Sequence, residues 1–154
     1  MNNNNANHQK IRRLVGLALL TAIVAVLQAV GSSIRLGPIP ISLVLIPIVL
    51  GAVLYGPGAG AYLGGVFGIV VLIAAITGVD SFSALLWAAS PFWMIVVCLG
   101  KGVLCGWASG LVYKALQRSK TTACLIASAV CPVVNTGVFA LAMLTVFRQN
   151  LLQL

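Results

Sequence analysis

Acidic side chains are almost missing from this 154-residue chain: Asp80 is the only one, set against nine Lys and Arg for a net charge of +8. One carboxylate excludes catalysis by paired acid and base, and it excludes a chain of carboxylates relaying protons. Charge of either sign is scarce, at 6% of residues against 61% hydrophobic, a balance that belongs to membrane proteins rather than soluble domains. Histidine occurs once, as His8 in a polar N-terminal stretch. The four cysteines, Cys98, Cys105, Cys124 and Cys131, form no Cys-x-x-Cys pair and have no histidine beside them. No metal or cofactor is therefore expected, and the thiols read as small packing residues. The stretch "LGKG" has neither the upstream glycine nor the Ser or Thr of a phosphate loop, so the chain is not expected to hydrolyse ATP or to be an enzyme. Nor do the basic residues form a stripe interleaved with aromatics, so no nucleic-acid partner is expected.

What the chain does have is long apolar runs. About 20 apolar residues cross a bilayer as a helix, and five segments approach that length, near 11–31, 39–55, 57–78, 91–117 and 121–147. The fold class is all-α, a polytopic bundle in the lipid bilayer spanning residues 10–154, preceded by a polar tail at 1–9 expected to be disordered. The second segment carries Pro40 and Pro47, which neighbouring helices are expected to tolerate by shielding the freed carbonyls. "YGPGAG" marks a tight turn, and Pro91 suits the first turn of a helix. Trp87 and Trp93 in "SALLWAASPFWM" mark an interfacial segment, because indole rings favour the headgroup level. Lys10, Arg12, Arg13, Lys114, Arg118 and Lys120 gather at one set of segment ends, against Arg35 and Arg148 at the other. The positive-inside rule then places the N-terminus in the cytoplasm.

Small residues recur four apart. Gly56, Gly60, Gly64 and Gly68 form one series, Gly102, Gly106 and Gly110 a second, and the first segment pairs Ala18 with Ala22 and Ala25 with Ala29. In lipid such spacing makes a flat groove in which two helices approach closely. The groove serves either packing inside the bundle or docking of another membrane subunit, and the spacing alone does not separate the two.

Lys101 stands inside an apolar stretch with no acidic neighbour. It lies about 15 Å along its helix from Pro91 at 1.5 Å per residue, too deep for easy snorkelling. A charged side chain near mid-bilayer costs on the order of 3 kcal/mol, so such residues face a cavity or a partner. Asn135, after Pro132 in "CPVVNTGVF", places a second polar group at comparable depth on the next helix. Together they point to a pocket for an anionic ligand, with Gln28 and Arg35 near its mouth; the alternative is that Lys101 is satisfied internally by Asn135 or a backbone carbonyl.

"LALLTAIVAVLQ", "ISLVLIPIVLGAVLYGPGAGAYLGGVFG", "LGKGVLCGWASGLVYKAL" and "CPVVNTGVF" resemble the substrate-binding (S) components of energy-coupling factor transporters, over residues 11–147. The resemblance implies a membrane subunit with six helices, five of them present before the chain ends at Leu154. It implies that a vitamin or related micronutrient is captured from outside at the plasma membrane of a prokaryote. The implied partners are that small-molecule ligand, a membrane scaffold (T) subunit and two cytosolic ATPase subunits. It implies docking on the scaffold through Ala18 and Ala22, with Ala25 beside them, and substrate contacts from Lys101, Asn135, Trp87 and Trp93. The rival readings are an assembly subunit without a ligand and a stand-alone facilitator.

Overall fold

The structure, a computed structural model, describes residues 3–33, 43–79, 81–116 and 119–148. Among these residues there is no strand, and four helices are long and apolar enough to span a bilayer: α1 (Asn3–Ser33), α3 (Pro57–Ile76), α5 (Pro91–Ala115) and α6 (Lys120–Ala142). A shorter apolar helix, α2 (Leu45–Tyr55), and the nine-residue α4 (Ser81–Ala89) complete the bundle, and a π-helical turn (Met143–Phe147) prolongs α6. The all-helical membrane bundle read from the sequence is thus the observed architecture.

Three boundaries differ from expectation. The first helix begins at Asn3, inside the polar tail expected to be disordered; once an apolar helix has nucleated, adding residues at its end costs little. The second segment becomes an 11-residue helix from Leu45, about 16 Å long and so roughly half a hydrocarbon core. Pro40 lies outside the described residues, while Pro47 is the third residue of α2. There it needs no shielding by neighbours, because the first turn of a helix has no carbonyl waiting for its N–H. The interfacial tryptophan segment folds as a helix of its own, α4.

A single residue separates α2 from α3. Gly56 adopts φ 94° and ψ 176°, which a side chain would resist, and Pro57 follows as the first residue of α3 with its φ already suited to a helix. The Gly56 amide still donates to the Ala52 carbonyl at 3.0 Å, closing α2 before the chain turns. Arg13 Nη2 donates to the Tyr55 carbonyl at 2.9 Å, tying the start of α1 to the end of α2. Gly16 leaves the space that the Tyr55 ring occupies.

The centre of the bundle is the antiparallel pair α3 and α5. Gly60 lies against Gly106, Gly64 against Gly102, Gly68 against Cys98 and Pro57 against Gly110. A Cβ at Gly68 would sit 2.6 Å from the Cys98 carbonyl oxygen, a contact no side chain could tolerate. The glycines at Gly60, Gly64, Gly68, Gly102, Gly106 and Gly110 therefore serve packing within the bundle, where the backbones gain dispersion contacts over four successive levels. Leu63 and Phe67 of α3, Cys98 and Cys105 of α5, Cys131 of α6, Ile48 of α2 and Val24 of α1 fill the core around this seam, each at most 4% exposed. Ser109 is equally buried and donates from Oγ to the Gly106 carbonyl at 3.0 Å, so its hydroxyl stays satisfied in the seam. Of the apolar span, 44% is buried in α3 but only 11% in α1 and in α6, which leaves those two helices on the outside of the bundle.

Candidate substrate-binding site

The pairing of α3 with α5 decides where Lys101 goes. Because Gly64 opposes Gly102 and Gly68 opposes Cys98, Phe67 lies across from the turn of α5 that contains Lys101. The Lys101 ammonium sits over the Phe67 ring at 5.9 Å from its centroid and over the Phe139 ring of α6 at 5.1 Å. A cation on the face of an aromatic ring gains about 1 kcal/mol at a partly exposed site. Two such faces thus offset part of the cost of about 3 kcal/mol for holding the charge at this depth. The only acid in the chain, Asp80, lies outside the described residues, and the π faces are what compensates Lys101 among those described.

Depth relates Lys101 to Asn135. The basic residues Lys10, Arg12, Arg13, Lys114 and Lys120 share one end of the bundle, fixed by the contact of Arg13 with Tyr55 and of Gly110 with Pro57. Counted from that end at about 1.5 Å per residue, Lys101 lies about 21 Å up α5 and Asn135 about 22 Å up α6. Phe139 stands one turn beyond Asn135 on the same side of α6, so the ring that holds Lys101 is the neighbour of the amide.

Asn135 itself opens on a groove between α2 and α6. The groove has a volume of about 510 Å³, with Val49 and Leu50 on the α2 side and Ser128, Pro132, Asn135 and Thr136 on the α6 side. The Asn135 Oδ1 atom is buried and has no hydrogen-bond partner. Ser128 Oγ donates to the Cys124 carbonyl at 2.8 Å, so that hydroxyl proton is already committed. Lys101 does not line the groove. The structure therefore brings Lys101 and Asn135 to one level but separates their surroundings, aromatic for the amine and groove-facing for the amide.

The other candidate residues fall further away. Trp87 is half-buried on α4, packed on the core, whereas Trp93 at the start of α5 is 48% exposed with the Phe92 ring edge-on at 6.2 Å. Gln28 is half-buried near the far end of α1. Arg35 lies outside the described residues. Ala18 and Ala22 are exposed and Ala25 partly so, on a helix that also exposes Leu14, Val15, Leu19, Ile23, Val26 and Val30.

Sequence reasoning passed over Phe67, Phe139 and Ser128. A signal for two of them existed: Phe139 is four residues past Asn135, and Ser128 is four before Pro132, so each shares a helix face with a residue already singled out.

Residues 12–153 match the ECF transporter, substrate-specific component family. The chain belongs to this family. No curated protein and no solved structure matches it. As a substrate-specific component of an ECF transporter it is a multi-pass membrane protein with a transport role and a small-molecule substrate. Its family works with membrane and ATPase modules rather than by catalysis of its own. The resemblance drawn from residues 11–147 is the family found.

Proposed function

We propose that this substrate-specific component captures a small water-soluble micronutrient, of the vitamin class, from outside a prokaryotic cell and delivers it inward through the plasma membrane. The basic end of the bundle faces the cytoplasm, as the positive-inside rule requires. There a scaffold subunit binds the Ala18, Ala22 and Ala25 face of α1, and two cytosolic ATPases supply the energy. The observation that carries the reading is the polar level formed by Lys101 and Asn135 at one depth of the bundle. Polar groups held at mid-bilayer on two neighbouring helices are what a subunit that must strip water from its ligand would need. An acidic group on the ligand draws the Lys101 ammonium from the ring faces. Trp87, Trp93, Gln28 and Arg35 serve the approach.

Calorimetry on the purified protein in detergent, titrated with riboflavin, biotin, pantothenate, folate and nicotinate, tests this. Saturable binding of at least one vitamin to the solitary subunit is the expected result. The aromatic clamp favours a second reading, an assembly subunit in which the Phe67 and Phe139 rings satisfy Lys101 for good. That reading requires no vitamin to bind, and no change in stability on adding one.

A further inference from the structure

We propose that the groove between α2 and α6 accepts the neutral N–H edge of the ligand, that of an amide, imide or ureide. The inference rests on the substrate-binding reading above and narrows it to a chemical class.

One hydrogen-bond acceptor on the α6 wall lacks a donor and a second has lost its usual helical one. The first is Asn135 Oδ1, which is buried and unpartnered. The second is the main-chain carbonyl of Ser128. In an uninterrupted helix it would accept from the amide of residue 132, but Pro132 has no N–H to give. Ser128 and Pro132 both line the groove, with Ser128 about two helical turns from Asn135. Nothing on the opposite wall answers them, because Val49 and Leu50 carry no donor, and the hydroxyl proton of Ser128 is spent on Cys124. The nearest cation, Lys101, is turned to the Phe67 and Phe139 rings.

An orphaned acceptor attracts N–H groups, and the Thr136 hydroxyl and Asn135 Nδ2 on the same wall can donate to the carbonyl that accompanies such an N–H in an amide, imide or ureide. An ammonium ligand would satisfy the acceptors but would bring a charge into a chain whose single acid, Asp80, lies between α3 and α4. A neutral N–H donor brings no such charge. The volume of about 510 Å³ suits a small molecule, and the apolar α2 wall suits an aliphatic or ring body attached to the donor. The division of labour follows: an acid on the ligand, where present, goes to Lys101, and the neutral N–H edge goes to the groove.

The test pairs three vitamins with derivatives methylated at the nitrogen in question: biotin and its ureido N-methyl derivative, riboflavin and 3-methylriboflavin, pantothenate and its N-methyl amide. Each is titrated into the full chain in detergent, with nicotinate, an acid that has no N–H, as control. At least one parent vitamin is expected to bind saturably and to lose tenfold or more on methylation. Asn135→Leu, close in volume, should abolish that discrimination. Pro132→Ala, which restores an N–H to the Ser128 carbonyl and favours the helix, should weaken the parent several-fold with the thermal melt unchanged or raised.

Equal affinities within every pair that binds would overturn the groove assignment and leave vitamin capture standing. So would saturable binding that Asn135→Leu and Pro132→Ala both leave untouched, or binding of nicotinate alone. No saturable binding of any vitamin would overturn capture and the groove assignment together.

Discussion

Gly60, Gly64 and Gly68 on α3 meet Gly106, Gly102 and Cys98 on α5 backbone to backbone, whereas Ala18 and Ala22 on α1, set at the same four-residue spacing, face outward. Both stripes would make a flat groove on an isolated helix. The difference lies in what a Cβ would meet. On α3 it strikes a carbonyl, so glycine is required; on α1 the methyls of Ala18 and Ala22 are already there and stand exposed. The stripe that must be glycine is therefore an internal seam, and the exposed alanine stripe is the face we propose for the scaffold subunit.

Substitutions separate the two stripes. The largest effect is expected from Gly64→Leu, which drives a side chain into the Gly102 backbone, where nothing can yield; monodisperse protein should vanish from size exclusion. Gly137→Ala, at a position with nothing within 4 Å of the added carbon, should leave the elution profile unchanged and raise the melting point slightly. On the open stripe, Ala22→Trp should yield folded protein that still binds ligand but no longer co-purifies with a scaffold subunit. A folded variant that keeps the scaffold would move the docking face elsewhere.

Smaller effects come from the polar level between the stripes. Lys101→Met, which keeps length and removes charge, should weaken an acidic vitamin about tenfold in calorimetry while the melting temperature holds or rises. Phe139→Leu removes one of the two ring faces over that ammonium and should lower stability by about 1 kcal/mol in a thermal melt, and Lys101→Met should erase this difference.

Much of this fold was legible in the sequence because bilayer thickness imposes a length. Runs of about 20 apolar residues stand out whatever packs around them, and Gly56, Pro57 and Pro91 mark their ends through backbone chemistry that needs no partner. The start of α2 was less legible, since Leu43 and Val44 are as apolar as the helix they precede. The site was half legible. Lys101 and Asn135 stand out as polar groups in apolar runs, and their common depth follows from counting along two helices. Their surroundings depend on the register of α3 against α5, which is set by glycines meeting glycines. No periodicity within one helix could therefore reveal that Phe67 would lie under the lysine. The Ser128 carbonyl is the reverse case: Pro132 announces in the sequence that its helical donor is lost, but only the fold sets Ser128 on a groove.

The glycine seam also limits how the protein moves. Two rods whose main chains touch at four consecutive levels have no cushion of side chains to shear, and the next matching alignment lies a whole four-residue step, about 6 Å, away. Small sliding is thus forbidden, and α3 with α5 must tilt and turn as one stiff plank. Any flexing falls first to α1, which packs on α3 and α2 more sparsely than α6 packs on α5.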